Sequence, residues 1–236
     1  MPAKHGHIGI HPQKQPGLHY IGVTTRLGRL TTAQLRGLAA LAETHGSGTI
    51  RLTVWQNLLL SDIPEASLPA LQSGLAELGL GWEASALRGG LVACTGAAGC
   101  KFAASDTKRY VAELADFLEP RITLDAPLNI HLTGCHHSCA QHYIADIGLL
   151  GAKVERGEET VEGYDLHVGG GAGPEQTIGR LVRKQVAQDE LGPVVLSLLQ
   201  AWQRTRAEAE SFHLWSGRQS DEALAAHAAA RVLEDA

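Results

Sequence analysis

The sequence predicts an α+β fold made of two parts. Helix and strand patterns alternate over the first 85 residues, and the sequence pattern changes after the glycine pair Gly89–Gly90. The chain has 236 residues, 44% of them hydrophobic, which is enough to bury a core in one large or two small domains. We therefore predict one domain over residues 1–85 and a second over residues 86–236.

The first part is predicted to follow a β-α-β-β-α-β order. Its helices are indicated by leucine and alanine at helical spacing, with a threonine cap before the first and Pro64 at the start of the second. Its strands are indicated by short alternating apolar runs. In order, the predicted elements are an extended lead-in over 1–17, a strand over 18–23, a helix from Thr31 or Thr32 to Thr44, strands over 49–54 and 58–60, a helix from Pro64 and a strand over 79–86. This order fits a small ferredoxin-like α/β sandwich, a name that describes a shape and implies no iron.

Two predicted strands of the second part run straight into loops that contain cysteine. Leu91–Ala93 precedes Cys94, and Leu128–Leu132 precedes Cys135 by two residues. The other predicted elements are a helix from Phe102 or Asp106 to Leu118, strands over 144–150 and 164–168, a tight turn over the glycine-rich run 169–173, a short helix from about Gln176 and helices over 191–206 and 221–233. We expect a mixed α/β domain with its cysteines at strand ends.

Composition and charge argue against several classes of protein. The formal net charge is −5 and the chain has no basic stripe, which argues against nucleic-acid binding. No apolar run is long enough to cross a bilayer, and the first residues lack the apolar stretch of a signal peptide. We therefore expect a cytoplasmic protein. Thiols stay reduced in the cytoplasm, so paired cysteines point to a metal or to catalysis before disulfides.

All four cysteines of the chain come in two close pairs. Cys94 and Cys100 frame five residues, and Cys135 and Cys139 frame three. Four thiolates suit either zinc or an iron–sulfur cluster. Five residues are a wide spacing for a zinc knuckle, whereas a cuboidal [4Fe–4S] cluster is larger and accepts that reach. The spacing favours the cluster and leaves zinc open.

Small residues in both loops suit a bound cluster. Gly96, Gly99 and Gly134 would let backbone N–H groups approach the cluster closely and donate hydrogen bonds to sulfur. A helix is predicted to start soon after Cys100, and its N-terminal dipole would favour a negative cluster.

The same motifs resemble a known family. Thr133-Gly-Cys-His-His-Ser-Cys139, followed by Asp146-Ile-Gly-Leu149, is similar to the siroheme and [4Fe–4S] signature of nitrite and sulfite reductases. The run Cys94–Cys100 and the stretch Ser105–Lys108 match the partner motif of that family. In the first part, the matching stretches are residues 11–17, 28–30 and 51–57. The likeness covers nearly the whole chain.

The resemblance implies two cofactors and a redox reaction. Cys94, Cys100, Cys135 and Cys139 would ligate the [4Fe–4S] cluster, and Cys139 would also bridge a cluster iron to the siroheme iron. The implied reaction is the six-electron reduction of an oxyanion, nitrite or sulfite. The implied electron donor is a protein such as ferredoxin or a flavoprotein. The protein itself would supply ligation, positioning and charge.

Five further residues are predicted from the resemblance to contact the siroheme. Arg51, Gln56 and Asn57 would lie at a strand end and its turn, and Lys108 falls in a matched stretch. His137 stands where many relatives have asparagine, and it could donate a proton at the cofactor edge. The alternative for each is an ordinary surface or turn side chain. No residue is assigned a catalytic role.

The resemblance also implies that part of the enzyme lies outside this sequence. Full-length members of the family carry two related halves in tandem, and this chain resembles the second. We therefore expect a partner that supplies the first half, or a homodimer, and poor turnover by an isolated monomer. Two other functions stay open: a precorrin monooxygenase of the kind found among relatives in cobalamin synthesis, and a zinc-stabilised four-cysteine binding module without turnover.

Overall fold

The structure is a computed structural model that describes residue 5, residues 7–171 and residues 177–229. It divides into two compact units, with the division between Gly89 and Gly90. Six α-helices and two β-sheets lie within these described ranges, so the predicted mixed α+β fold is confirmed. None of the helices there is long and apolar enough to cross a membrane.

The first unit contains a four-stranded antiparallel sheet and two helices. Its elements are β1 (Gly9–Pro12), β2 (Leu18–Val23), α1 (Thr32–His45), β3 (Ile50–Leu52), β4 (Leu58–Pro64) and α2 (Leu68–Glu77). The strand order is β1-β2-β4-β3, with every pair antiparallel. The helix α1 begins where expected, because Thr31 and Gln34 form a capping box that satisfies two N–H groups.

One apolar core holds this unit together. The side chains of Ile21 and Leu60 from the sheet, and of Leu38 and Leu71 from the two helices, are fully buried. The helices approach each other closely at Gly37 of α1, where an added Cβ would lie 2.5 Å from the Leu78 side chain. A larger residue there would push the helices apart.

The last predicted strand of the first part is wrong. Over residues 79–86 the described structure has only an isolated bridge, in which the Thr24 N–H donates to the Gly81 carbonyl at 2.8 Å. The lead-in provides the extra strand instead, because β1 pairs with β2 and occupies the side of β2 that a strand over 79–86 would need. The order is therefore β-β-α-β-β-α.

The second unit is built on a five-stranded mixed sheet. Its elements are β5 (Leu91–Ala93), α3 (Thr107–Leu118), β6 (Ile130–Thr133), β7 (Ile147–Arg156), β8 (Glu159–Val168), β9 (Arg180–Ala187), α4 (Gln188–Thr205), α5 (Phe212–Gly217) and α6 (Asp221–Ala229). The strand order is β5-β6-β7-β8-β9. The pairs β5–β6 and β6–β7 are parallel, and the pairs β7–β8 and β8–β9 are antiparallel. Aromatic packing joins the helices, with Trp202 edge-on to Phe212 at 5.7 Å between ring centroids.

The short helix predicted from about Gln176 is wrong over the part that the structure describes. Residues 180–187 form β9, which pairs antiparallel with β8, for example Val186 with Tyr164. This pairing satisfies the backbone of the segment, and α4 begins directly after it at Gln188. Residues 172–176, which include the end of the predicted glycine turn and Gln176, lie outside the described residues, as does the predicted end of the last helix after Ala229.

Candidate iron–sulfur and siroheme site

Two neighbouring parallel strands bring the cysteine loops together. Strands β5 and β6 pair in parallel, and each runs into a loop that carries a cysteine pair. The carboxyl ends of parallel strands meet at one edge of a sheet. The Cys94 N–H continues the pairing by donating to the Leu132 carbonyl at 3.1 Å. The predicted grouping of Cys94 with Cys135 follows from this register.

A backbone hydrogen bond links the two loops at sulfur. The Gly134 N–H donates to Cys94 Sγ at 3.2 Å. The Ala104 N–H donates to the Gly134 carbonyl at 2.7 Å, and an added Cβ on Gly134 would lie 2.7 Å from Ala103 Cβ. The expected N–H to sulfur bond therefore exists at Gly134. The N–H of Gly99 instead donates to the Gly96 carbonyl at 3.2 Å.

The first loop is tied to the start of α3. Gly96 has φ +68°, and an added Cβ there would lie 2.6 Å from the Thr107 backbone nitrogen. Thr107 Oγ1 donates to the Cys94 carbonyl at 2.7 Å and lies 3.7 Å from Cys94 Sγ. Sequence reasoning did not assign Thr107 a role in the site, because this contact depends on how the helix start folds back onto the loop.

The four thiols differ in exposure. Cys94, Cys100 and Cys135 are partly buried, whereas Cys139 is exposed. No three Cys, His, Asp or Glu side chains in the described ranges are grouped closely enough to hold one metal ion. A single tetrahedral zinc ion would need thiolate sulfurs about 4 Å apart. The four thiolates of these two neighbouring loops are the kind of ligand that both zinc and a [4Fe–4S] cluster take.

Buried hydroxyls lie next to the loops. The side-chain oxygens of Ser105, Thr133 and Tyr164 are buried, and the Ser105 hydroxyl lies close to the Tyr164 phenol. Burial raises the pKa of the Tyr164 phenol far above its ordinary value, so it stays protonated. The Tyr164 phenol is also close enough to Cys94 for the two groups to interact electrostatically.

His137 lies on the exposed side of the second loop. Its ring meets the ring of Phe102 edge-on, with 5.3 Å between centroids, and its Nδ1 lies 3.6 Å from Cys135 Sγ. Phe102 is 59% exposed, and Lys101 Nζ lies 5.1 Å from its ring centroid. Lys108 lies in the first turn of α3 and is partly buried.

The predicted siroheme contacts of the first unit lie on β3 and the turn that follows it. The exposed Arg51 donates to Ser61 Oγ. Asn57 is buried, and its Oδ1 accepts a hydrogen bond from the Thr25 N–H at 3.0 Å. Gln56 has φ +60°. Arg51 and Asn57 therefore make local hydrogen bonds, and Gln56 adopts a left-handed turn conformation. The contact of each with a cofactor stays a prediction.

Family comparisons connect this site to known proteins. Residues 11–78 match the nitrite/sulfite reductase ferredoxin-like half domain, and residues 85–215 match the nitrite and sulphite reductase 4Fe-4S domain. The chain belongs to the nitrite and sulfite reductase family. Membership of this family implies a [4Fe–4S] cluster and a siroheme.

Individual relatives include both nitrite and sulfite reductases. It is 42% identical over 196 residues to the ferredoxin–nitrite reductase of Synechococcus elongatus, covering 83% of this chain and 38% of that protein. It is 36% identical over 232 residues to sulfite reductase [ferredoxin] 1 of Mycolicibacterium paratuberculosis, covering 94% of this chain and 42% of that protein. The chain thus spans about two-fifths of the length of these nitrite and sulfite reductases.

Two solved structures have a fold similar to that of this chain. The NirA protein of Mycobacterium tuberculosis matches with a TM-score of 0.83 and 36% identity, over 92% of this chain and 41% of that one. Dissimilatory sulfite reductase I matches with a TM-score of 0.74 at 14% identity, over 92% of this chain and 70% of that one, which shows a shared fold.

Proposed function

We propose that this chain is the cluster-carrying part of an enzyme that reduces nitrite or sulfite with six electrons. The observation that carries the proposal is the meeting of the two cysteine loops at the ends of β5 and β6, linked by the hydrogen bond from Gly134 to Cys94 Sγ. The names of the relatives, ferredoxin–nitrite reductase and sulfite reductase, support the reaction class.

In this proposal, the four thiolates of Cys94, Cys100, Cys135 and Cys139 hold the cluster. When bound, the cluster supplies electrons one at a time to the siroheme, where the oxyanion is reduced. The exposed position of Cys139 supports its role as the thiolate shared with the siroheme iron. The Gly134 N–H offsets negative charge on the Cys94 thiolate, which favours the reduced cluster.

Siroheme carries many carboxylates, which require cationic or N–H partners. We propose Arg51, Gln56, Asn57, Lys108 and His137 as part of that set, on the strength of the motifs that contain them. The exposed guanidinium of Arg51 and the exposed ring of His137 are compatible with it. Asn57 Nδ2 lies 3.2 Å from His7 Nε2, so its amide also links this turn to the start of the chain.

The complete oxyanion site is proposed to need more than this chain. The relatives are more than twice as long. A first-half polypeptide, or a second copy of this chain, is proposed to supply further cations for the oxyanion and the siroheme. Ferredoxin is the proposed electron donor, from the names of the relatives, with a flavoprotein as the alternative. We further propose that residues 1–85 and 86–236 act as separate domains, and that the protein works in the cytoplasm.

Anaerobic reconstitution with iron, sulfide and siroheme tests this function. We expect four irons and four sulfides per chain, with the visible bands of siroheme above the broad absorbance of the cluster. The control is a chain in which Cys94 and Cys135 are both replaced by serine, which should take up no cluster. A colourless wild-type protein that retains one zinc ion would refute the proposal in favour of a zinc module.

A further inference from the structure

The chain around Cys139 lies between two strained residues. Ser138 has φ +52° and Gln141 has φ +55°, a left-handed conformation that costs free energy for any residue with a Cβ. Cys139 is exposed, while its neighbours Ser138 and Ala140 are buried. Something in the fold must therefore hold the residues on either side of this cysteine.

His142 holds the first of these residues. Ser138 Oγ lies 2.7 Å from His142 Nδ1 and accepts a hydrogen bond from the His142 N–H at 3.3 Å. The Ser138 N–H donates to the Cys135 carbonyl at 3.0 Å, and the Gln141 N–H donates to the Ser138 carbonyl at 2.7 Å. Ser138 thus ends one turn and begins the next, and the side chain of His142 is hydrogen-bonded to this shared residue.

A row of residues across the sheet holds His142 in turn. His131 of β6, Gly148 of β7 and His167 of β8 are paired neighbours, so their side-chain positions share one face. The gap at Gly148 admits the backbone of His142, because an added Cβ there would lie 1.9 Å from the His142 carbonyl oxygen. The His142 ring packs edge-on against His167, with 4.8 Å between centroids.

The same row reaches the second strained residue. His131 Nδ1 lies 3.2 Å from the Gln141 carbonyl oxygen. The imidazole of His142 thus contacts Ser138, and the imidazole of His131 contacts the carbonyl group of Gln141. Ser138 and Gln141 are the two left-handed residues on either side of Cys139 and Ala140. This segment, Ser138 to His142, is preorganised by buried side chains, whereas the thiol between them points to solvent.

We propose that His142 is a positioning residue that, through Ser138, fixes the Cys139 thiolate where the cluster and the siroheme share it. The inference rests on the proposed function. A loop already ordered in the cofactor-free protein loses less conformational entropy when its cysteine takes up iron, so the cofactor is held longer.

The contact through Nδ1 allows a matched test. In His142→Asn, the side-chain amide lies close to the former Nδ1 position and can still reach Ser138 Oγ. In His142→Gln, it lies closer to the former Nε2 position and cannot. Ser138→Ala removes this hydrogen bond, together with the one that Ser138 Oγ accepts from the His142 N–H, and leaves the packed ring in place. His45→Gln, at the last residue of α1 in the first unit, is the control.

Two measurements read out the effect without enzyme turnover. The first is the rate of cluster loss to a chelator, followed by visible absorbance. The second is hydrogen exchange of the peptide over residues 138–144 in the cofactor-free protein. The loss of one buried hydrogen bond corresponds to roughly a tenfold change in an equilibrium or a rate. We expect about tenfold faster cluster loss and exchange in His142→Gln and Ser138→Ala, with His142→Asn and His45→Gln close to wild type.

The outcomes are distinct. Equal rates in His142→Asn and His142→Gln, or wild-type rates in Ser138→Ala, would overturn the proposal. A wild-type chain that takes up no cluster would refute the proposed function instead. In that case the exchange rates of the cofactor-free variants would still decide whether His142 orders the segment.

Discussion

At the scale of single residues, Gly134 brings the two cysteine loops to hydrogen-bonding distance. Its N–H reaches Cys94 Sγ, and its Cα lies so close to Ala103 that an added Cβ would approach Ala103 Cβ to 2.7 Å. Contacts this short are not seen between real Cβ atoms, so a larger residue must push the loops apart.

We therefore expect Gly134→Ala to destabilise the protein by about 1–3 kcal/mol and to lower its cluster content. Chemical unfolding of the cofactor-free protein, and iron content after reconstitution, measure the two effects. Gly217→Ala is the control, because an added Cβ there meets no atom within 4 Å. Equal stability and iron content in the two variants would contradict the role given to Gly134.

His142 provides a second prediction at this scale, through pH. Burial, with the nearby imidazoles of His167, His136 and His131, lowers the pKa of His142 from 6.5 to about 4. The unfolded chain therefore binds a proton between these values that the folded protein does not, so stability is full above pH 6.5 and is lost as pH falls toward 4.

Urea unfolding of the cofactor-free, reduced protein at pH 7.5 and pH 5 measures this loss. We expect the free energy of unfolding to fall more in wild type than in His142→Asn, which has no group that titrates at this position. Burial also lowers the pKa of His167, so part of the loss will remain in the variant. An equal fall in both proteins would contradict the low pKa assigned to His142.

At the scale of secondary-structure elements, the site depends on how α3 joins the loop after β5. Thr107, the first residue of α3, donates from Oγ1 to the Cys94 carbonyl at 2.7 Å and is fully buried. Because this hydroxyl links helix to loop, its loss leaves a buried carbonyl without that donor.

Thr107→Val keeps the shape of the side chain and removes the hydroxyl. We expect a loss of about 1–2 kcal/mol in the free energy of unfolding and faster loss of the cluster to a chelator. Thr160→Val is the matched control, because the Thr160 hydroxyl contacts Glu155 at the exposed surface. Behaviour of Thr107→Val like that of the control would show that α3 is not needed to hold the loop.

Elements that follow from local pattern were predicted well from the sequence. The strand before Cys94 is an apolar run, the strand before Cys135 alternates apolar residues with His131, and α1 carries a capping box, so all three are visible locally. The strand over 79–86 failed because β1 competes for the same side of β2, and β9 was missed because its partner β8 decides its conformation. Pairing of this kind depends on distant residues.

The candidate site also has features that the sequence predicts and features that depend on tertiary contacts. The cysteine pairs and the glycine at 134 are visible as spacing in the sequence. The support given by Thr107 and His142 is not, because it arises from tertiary contacts with the loop. One local signal was present for His142: a glycine within the apolar strand Ile147–Leu149 often marks a close backbone approach, and here the approaching chain is His142.

At the scale of the whole molecule, this chain has two units with buried cores but only about two-fifths of the length of its relatives. The chain has 20 lysines and arginines against 25 aspartates and glutamates, so it carries no excess of cations for an oxyanion and a siroheme with many carboxylates. The arginines at 156, 180, 206 and 218 are engaged in ion pairs.

We expect the isolated chain, loaded with both cofactors, to reduce nitrite and sulfite poorly with a chemical reductant. Addition of a first-half polypeptide from a relative should raise turnover, because it is proposed to supply further cations. Sedimentation of the same sample establishes whether the active species is a monomer, a homodimer or a complex. Robust turnover by a proven monomer would contradict the need for a complement.

The central claim is that the cysteine quartet holds a [4Fe–4S] cluster that shares the Cys139 thiolate with siroheme. The most direct measurement is the paramagnetic resonance spectrum of the fully loaded wild type beside that of Cys139→Ser. We predict magnetically coupled centres in the wild type, and uncoupled siroheme with a lost or altered cluster in the variant. Identical spectra for the two proteins would contradict the account.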